Sequence, residues 1–382
     1  MMFVSTMKKI LILANTSWHI YNFRRPLISN LVNSGFQVLY ATQFDKYTDK
    51  MSGFGADYVN VEYDNSSKNP LKDLLFLFKI IRILKKQKPD VLLTFTIKPN
   101  IYGGIAAQLC KIPVVANVSG LGSLFIKKGE ASKLLLYLYK IGLRGADRVF
   151  FHNNADHLLF KKHNIITEQY TGVLPGSGVD LVRFSNSNAN NKISGKTTFL
   201  LASRLLKDKG IVESIDAVRE IQKKYNVELQ LLGQLWPRNP SSISQQELDN
   251  WVDKGLVSYL GFTDDVRPYI DAADVIILPS YREGMARILL EAASMGKPLI
   301  TTDVPGCRDI VDNGRTGFLC KARDPIDLAK KMIQMIELSN EERVLMGKRG
   351  REKMEKGFDE KIVINKYLET INNFIIRKSV IR

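Results

Sequence analysis

Two successive series of short apolar runs, separated by stretches of helical period, restrict the fold of this chain more than any other feature. In the first half the runs are "KILILAN" (9–15), "QVLYAT" (37–42), "DYVNV" (57–61), "VLLTF" (91–95), "VVANVS" (114–119) and "RVFFHN" (148–153). Helices are expected between them at about 24–34, 71–87, 102–110 and 131–143. The second series reads "TFLLAS", "ELQLLG", "VSYLG", "VIILPS", "PLITT" and "GFLC", with helices near 211–224, 264–272, 286–295 and 325–336. Apolar runs joined by helical crossovers are the pattern of parallel sheets covered on both faces. The 382 residues suit two such cores. The expectation is an α/β chain of two doubly wound, Rossmann-like domains, 1–182 and 195–358, with a terminal helix at about 360–382 packing back on the first. "SNSNANNKISGKT" (185–197) reads as the linker.

Ligands of open α/β sheets sit beyond the carboxyl ends of the strands. The strand "VIILPS" feeds the loop "YREG", and a helix is expected from about Met285 or Ala286. Gly284 lets the backbone approach a ligand, and the helix start offers unpaired N–H groups to an anion. Glu283 falls at the end of that loop and Glu291 on the helix; carboxylates there suit the hydroxyls of a ribose and a hexose. Taken alone, Glu283 reads equally as a charge at a helix start and Glu291 as a solvated residue. A second strand-end motif, "SRLLKDKG" (203–210), also precedes a helix, and its Arg204 and Lys209 suit a diphosphate. Loop cations are ordinarily solvated, but the two motifs together are more specific than either.

"SRLLKDKG", "YLGFTDDVRPYIDAADVIILPSYREG" and the Glu-x7-Glu pair resemble glycosyltransferase family 4, retaining enzymes of the GT-B fold, in which two such domains face each other across a cleft. "NFRRPLISNL", "TIKPNIYGGIAA", "NVSGLGSLF" and "LPGSGVDLVRF" extend the resemblance over nearly the whole chain. More narrowly, the chain resembles bacterial enzymes that add N-acetylhexosamines, GalNAc or GlcNAc, to undecaprenyl-diphosphate-linked glycans. The resemblance implies that Arg204 and Lys209 bind the diphosphate of a UDP-sugar, Glu291 the ribose and Glu283 the donor sugar. It implies that Gly284, Met285 and Ala286 offer backbone amides, and that Gly261 and Phe262 lie at the base. It further implies catalysis without a metal or other cofactor. The chain departs from the family in its first loop, "NTSWHIYNFRR", which lacks a Gly-Gly pair, and in "FTIKPN", where Lys98 stands near the place of a donor-contacting histidine. His19 is the candidate substitute. Trp18, Arg24, Lys98, Gly120 and Gly122, in loops expected to face the cleft, are the weaker candidates for the acceptor.

The chain carries a net charge of +16. Residues 1–180 hold 23 Lys+Arg against 12 Asp+Glu, which points to an anionic partner. Lys72, Lys79, Arg82 and Lys86 share one face of the helix expected at 71–88, and Lys133, Lys140 and Arg144 recur in a Leu- and Tyr-rich helix. Such faces suit an anionic membrane surface; they also read as ordinary solvated helices. With no apolar run near ~18 residues and no convincing signal peptide, a peripheral place on the cytoplasmic face of the inner membrane is expected. Nucleic acid is not expected, because basic residues and aromatics do not interleave on one face. The three cysteines (Cys110, Cys307, Cys320) and four histidines lack metal-ligand spacing. "GLGSLF" lacks the third glycine of a dinucleotide fingerprint, and "SGKT" (194–197) precedes a strand, unlike a P-loop. A non-catalytic nucleotide-sugar sensor and a GT-B sugar-nucleotide epimerase are the remaining alternatives.

Overall fold

The computed structural model describes residues 7–65, 67, 69–122, 129–185, 195–237 and 239–380. The chain divides into two units, residues 1–177 with 360–382, and residues 178–359.

The described residues of unit 1 form seven strands: β1 (Lys9–Thr16), β2 (Gln37–Gln43), β3 (Ala56–Asn60), β4 (Val91–Phe95), β5 (Val114–Val118), β6 (Arg148–Phe151) and β7 (Thr171–Val173). They form one parallel sheet in the order β3-β2-β1-β4-β5-β6-β7. Burial of every residue of β4 and β5 explains why these strands read as continuous apolar runs. The helix expected at 24–34 is α2 (Arg25–Asn33), and a further short helix, α1 (Ser17–Phe23), not expected from the sequence, precedes it. They part at Arg24, ahead of Pro26, which has no N–H to continue a helical ladder. The crossovers α3 (Pro70–Gln87), α4 (Gly104–Cys110) and α5 (Glu130–Leu143) follow, and α6 (Asn154–Lys162) joins β6 to β7.

Unit 2 holds β8 (Thr197–Ala202), β9 (Val227–Leu232), β10 (Ser258–Tyr259), β11 (Val275–Leu278), β12 (Leu299–Thr302) and β13 (Gly317–Cys320), parallel in the order β10-β9-β8-β11-β12-β13. Its helices are α7 (Ile211–Ile221), α8 (Gln245–Asp253), α9 (Arg267–Ala272), α10 (Arg287–Ser294), α11 (Pro325–Glu337) and α12 (Asn340–Gly357). Capping boxes at Ser244/Glu247 and Ser339/Glu342 start α8 and α12, satisfying the first N–H groups of two polar helices.

The last helix, α13 (Glu360–Val380), belongs to unit 1, where Val363, Tyr367 and Ile371 share a core with Leu27, Ile28 and Leu31 of α2. Residues 178–182, expected in the first domain, belong to the second. Val179 N–H donates to the Phe358 carbonyl at 2.8 Å, and Val179 and Phe184 are buried beside Leu200 and Ile276. The units therefore join at 177/178 and 359/360, not through 185–197; residues 186–194 of that stretch lie outside the described residues.

Candidate active site

In unit 2 the strand order reverses between β8 and β11, the position where open sheets bind ligands. Both motifs leave the sheet there. After β8 the chain passes through Ser203 and Arg204 to a single helical turn, Lys207–Lys209, and Gly210 (φ 75°) turns it into α7. Any β-carbon on Gly210 would run into the carbonyl of Pro279 at the end of β11, so the two loops pack backbone to backbone. The Asp208 carbonyl accepts from Tyr281 N–H (2.9 Å) and Ser280 Oγ (3.1 Å).

This seam brings Lys209 to Glu283, with Nζ 2.5 Å from Oε1 and the two side chains only 16% and 15% exposed. The Glu283 loop is held from β12's side: Glu283 N–H donates to Pro305 O (3.2 Å) and Ala286 N–H to Gly306 O (3.0 Å). Gly306 (φ 77°) packs against the Glu283 carbonyl so closely that a β-carbon there would overlap it. Helix α10 begins at Arg287, and the buried Ala286 preceding it supplies no side-chain cap, which leaves its first turn an anion-attracting end. One turn on, Glu291 is 8% exposed and Arg287 Nε donates to its Oε1 at 2.6 Å.

Arg204 is exposed, its guanidinium 5.7 Å from the centre of the Trp236 ring. Gly261 (φ 72°) accepts from Gly233 N–H at 2.7 Å, Tyr259 Oη donates to Gly233 O at 2.9 Å, and Phe262 beside them is half-exposed. Three groups support the site without having been singled out by the sequence. Asp208 lies between cations, yet burial raises its carboxyl above the usual range; Lys209 opposes the rise and Glu283 adds to it. Tyr281 donates to Glu213 Oε1 (2.5 Å) with Arg323 over its ring at 4.6 Å, and burial, reinforced by that bond, raises its phenol. Cys307 is fully buried nearby; desolvation, with the Glu283 charge adding, pushes its thiol up to about 12.

In unit 1, Trp18 and His19 sit on α1, not in a loop. The Trp18 ring meets Phe23 edge-on, and the His19 ring lies 5.1 Å from Phe23 and 6.2 Å from Phe95. Two expectations are corrected. Arg24 is not a loop cation open to a ligand: it is 2% exposed, with its guanidinium 4.1 Å from the Phe95 ring centre. Nor is Lys98 available, because its ammonium is spent on Asp73 Oδ1 (2.6 Å), Ser67 O (2.8 Å) and Asp64 O (3.0 Å). All three of its N–H donors are thus engaged in tying the first turn of α3 and the loop before it to the segment after β4. Gly120 and Gly122 follow β5 with positive φ; the rest of "SGLGSLF", 123–125, lies outside the described residues.

Helices α3, α4 and α5 pack side by side on one face of the unit 1 sheet. Their outer surfaces expose Leu71, Leu74, Leu75 and Phe78 on α3, Leu109 on α4, and Leu134, Tyr137 and Ile141 on α5. Arg82, Lys85 and Lys86, and Lys133, Lys140 and Arg144, are exposed among them. Lys72 pairs with Asp64 and Lys79 donates to the Glu62 carbonyl. Among the described residues no helix is long and apolar enough to cross a membrane, and no three His, Cys, Asp or Glu group as metal ligands.

Residues 9–153 match the family described as Glycosyl transferase 4-like, and residues 196–338 match Glycosyl transferases group 1. The chain belongs to the group 1, family 4-like glycosyltransferases. One relative is the N,N'-diacetylbacillosaminyl-diphospho-undecaprenol alpha-1,3-N-acetylgalactosaminyltransferase of Campylobacter jejuni, 28% identical, covering 95% of this chain and 98% of that one. Another is the Escherichia coli UDP-Gal:alpha-D-GlcNAc-diphosphoundecaprenol alpha-1,3-galactosyltransferase, 27% identical, with 81% of each covered. Among solved structures, Anabaena HepE in complex with UDP and glucose matches with a TM-score of 0.78 at 19% identity, covering 96% of this chain and 99% of that one. Sucrose-phosphate synthase from Thermosynechococcus elongatus matches at 0.79 and 18%, covering 97% and 100%. These structural likenesses establish the GT-B fold of this glycosyltransferase.

Proposed function

We propose that this glycosyltransferase moves an N-acetylhexosamine, GalNAc or GlcNAc, from a UDP donor to an undecaprenyl-diphosphate-linked saccharide, with retention and without a metal. The observation that carries the reading is the Lys209–Glu283 pair at the β8/β11 reversal, next to the uncapped start of α10. Lys209 and Arg204 neutralise the departing diphosphate, a role a metal fills elsewhere. Glu291, oriented by Arg287, accepts from the ribose hydroxyls. Glu283, oriented by Lys209, accepts from a hydroxyl of the donor sugar. The acceptor hydroxyl attacks the anomeric carbon from the face the diphosphate leaves; the new C–O bond forms as the old one breaks, and the acceptor's proton passes to the departing phosphate oxygen. The names of the Campylobacter and Escherichia relatives support a lipid-diphosphate acceptor, and the complexes of HepE with UDP support a UDP donor.

The apolar and basic surface of α3, α4 and α5 supports a peripheral place on the anionic cytoplasmic face of the inner membrane, where such an acceptor is found. Calorimetric titration with UDP tests the donor site. Glu291→Gln is expected to weaken UDP about tenfold, the worth of one charged hydrogen bond, whereas unchanged affinity contradicts the assignment.

A further inference from the structure

The two cations of the loop after β8 are held in different ways, and the difference gives a task to Trp236. Lys209 is paired with the Glu283 carboxylate. Among the described residues, no hydrogen bond or ion pair engages the Arg204 guanidinium, and what it faces is the Trp236 ring, 5.7 Å from its centre. Backbone hydrogen bonds fix the two residues relative to each other. The segment after β9, residues 234–237 and 239–243, straps the loop after β8: Leu205 N–H donates to Gln234 O (3.1 Å), Ile243 N–H to Leu205 O (3.0 Å), Lys207 N–H to Ser241 O (2.6 Å) and Asp208 N–H to Ser241 Oγ (3.1 Å). The strap is also closed on itself. Asn239 N–H donates to Trp236 O (2.8 Å), Trp236 N–H to Ser242 Oγ (3.2 Å) and Ser241 N–H to Asn239 Oδ1 (2.9 Å). Leu235 packs against the core of unit 2, whereas the Trp236 side chain beside it stays 41% exposed.

The kind of partner matters for a cation that must bind phosphate. A carboxylate would hold the guanidinium by taking its N–H donors and cancelling its charge. An aromatic face attracts the cation through the ring quadrupole and takes no donor. The N–H groups at the edge of the guanidinium plane then stay open to phosphate oxygens, which match that edge. Holding the long side chain in place beforehand also reduces the rotamer freedom lost when a ligand binds. We infer that Trp236 is a positioning residue for the diphosphate site: its ring holds Arg204 over the strap with the guanidinium's donors unspent. This deepens the proposed function and rests on it for the role of Arg204. The indole touches the cation, not the nucleotide, so its contribution passes through Arg204 alone.

The test titrates UDP and uridine separately into the full chain by calorimetry. Wild type, Trp236→Leu and Trp236→Phe are compared, and each is repeated with Arg204→Ala. Trp236→Leu is expected to weaken UDP about fourfold, the worth of one exposed cation–π contact, and to leave uridine, which has no phosphate, unchanged. Trp236→Phe, which keeps an aromatic face, recovers part of the loss. With Arg204→Ala in place, Trp236→Leu is expected to have no further effect, because the group it positions is gone; a residue that merely packed the loop would still show its loss there. Unchanged UDP affinity in Trp236→Leu overturns the inference. So does an equal loss for uridine, which would put the indole against the nucleoside, and so does a loss that persists with Arg204→Ala. In each of these cases weak UDP binding by Arg204→Ala alone leaves the donor reading standing. Wild-type UDP affinity in Arg204→Ala contradicts the donor reading itself, and the inference with it.

Discussion

Removing Lys209 separates the structural and catalytic sides of this site. The ion pair with Glu283 is short, 2.5 Å, and both side chains are more than four-fifths covered. Breaking a fully buried pair from one side costs about 3–5 kcal/mol; the residual exposure here brings the expected loss for Lys209→Met to ~2–3 kcal/mol. Most of that is the penalty of leaving the Glu283 carboxylate unmatched. Replacing it as well, by Glu283→Gln, is therefore expected to restore ~1–2 kcal/mol, so the two changes are not additive. Unfolding can be followed by tryptophan fluorescence, since Trp236 and Trp251 lie in unit 2. UDP at a hundred times its Kd is expected to stabilise the wild type by about 2.7 kcal/mol. Glu283→Gln should retain most of that gain, because its target is the sugar, and Lys209→Met should lose most of it. Additive stabilities, or full UDP stabilisation of Lys209→Met, would refute the reasoning.

Three further outcomes follow from other parts of the chain. Leu75→Glu with Phe78→Glu, both at exposed positions of α3, should lower sedimentation with anionic phospholipid vesicles severalfold while leaving UDP affinity unchanged. Lys98→Met should cost about 1–3 kcal/mol of stability by leaving Asp73 with Tyr102 Oη alone and two carbonyls without their ammonium donor, measured by thermal unfolding, with the acceptor KM unmoved. Asp208 binds its proton more tightly folded than unfolded, so its contribution is present below the ordinary aspartate value and lost as pH rises through the raised one. Asp208→Asn should consequently flatten that fall, making the variant more stable than wild type at neutral pH and equal to it near about pH 4.

The strand and helix alternation was legible because strands such as β4 and β5 are buried throughout, and continuous apolar runs survive any reading frame. The polar helices were not. In α12, only Met346, Gly347, Gly350 and Met354 are buried, too narrow a stripe to stand out among its charges, and α8 is similar. The three-residue β7 and the short α1 and α6 give too little periodicity. At the β8/β11 reversal, Arg204, Lys209 and Glu283 could be singled out as candidates because strand-end loops flanked by glycine mark a backbone that must pass close to something. Their supports were not: Tyr281 and Glu213 are 68 residues apart, and nothing local announces the pair. Arg24 and Lys98 were misjudged for one reason. A basic residue beside a strand end reads as open to ligand, but burial over Phe95 and a carboxylate 25 residues away at Asp73 are decided by tertiary packing alone.

Transfer of radiolabel from a panel of UDP-sugars to a bacterial membrane lipid extract, with EDTA present, tests the central claim most directly. The account predicts a labelled lipid product from one UDP-N-acetylhexosamine, undiminished by EDTA and lost in Arg204→Ala and Lys209→Met. Product that forms only with an added divalent cation, or that persists at the wild-type rate in both variants, would contradict it.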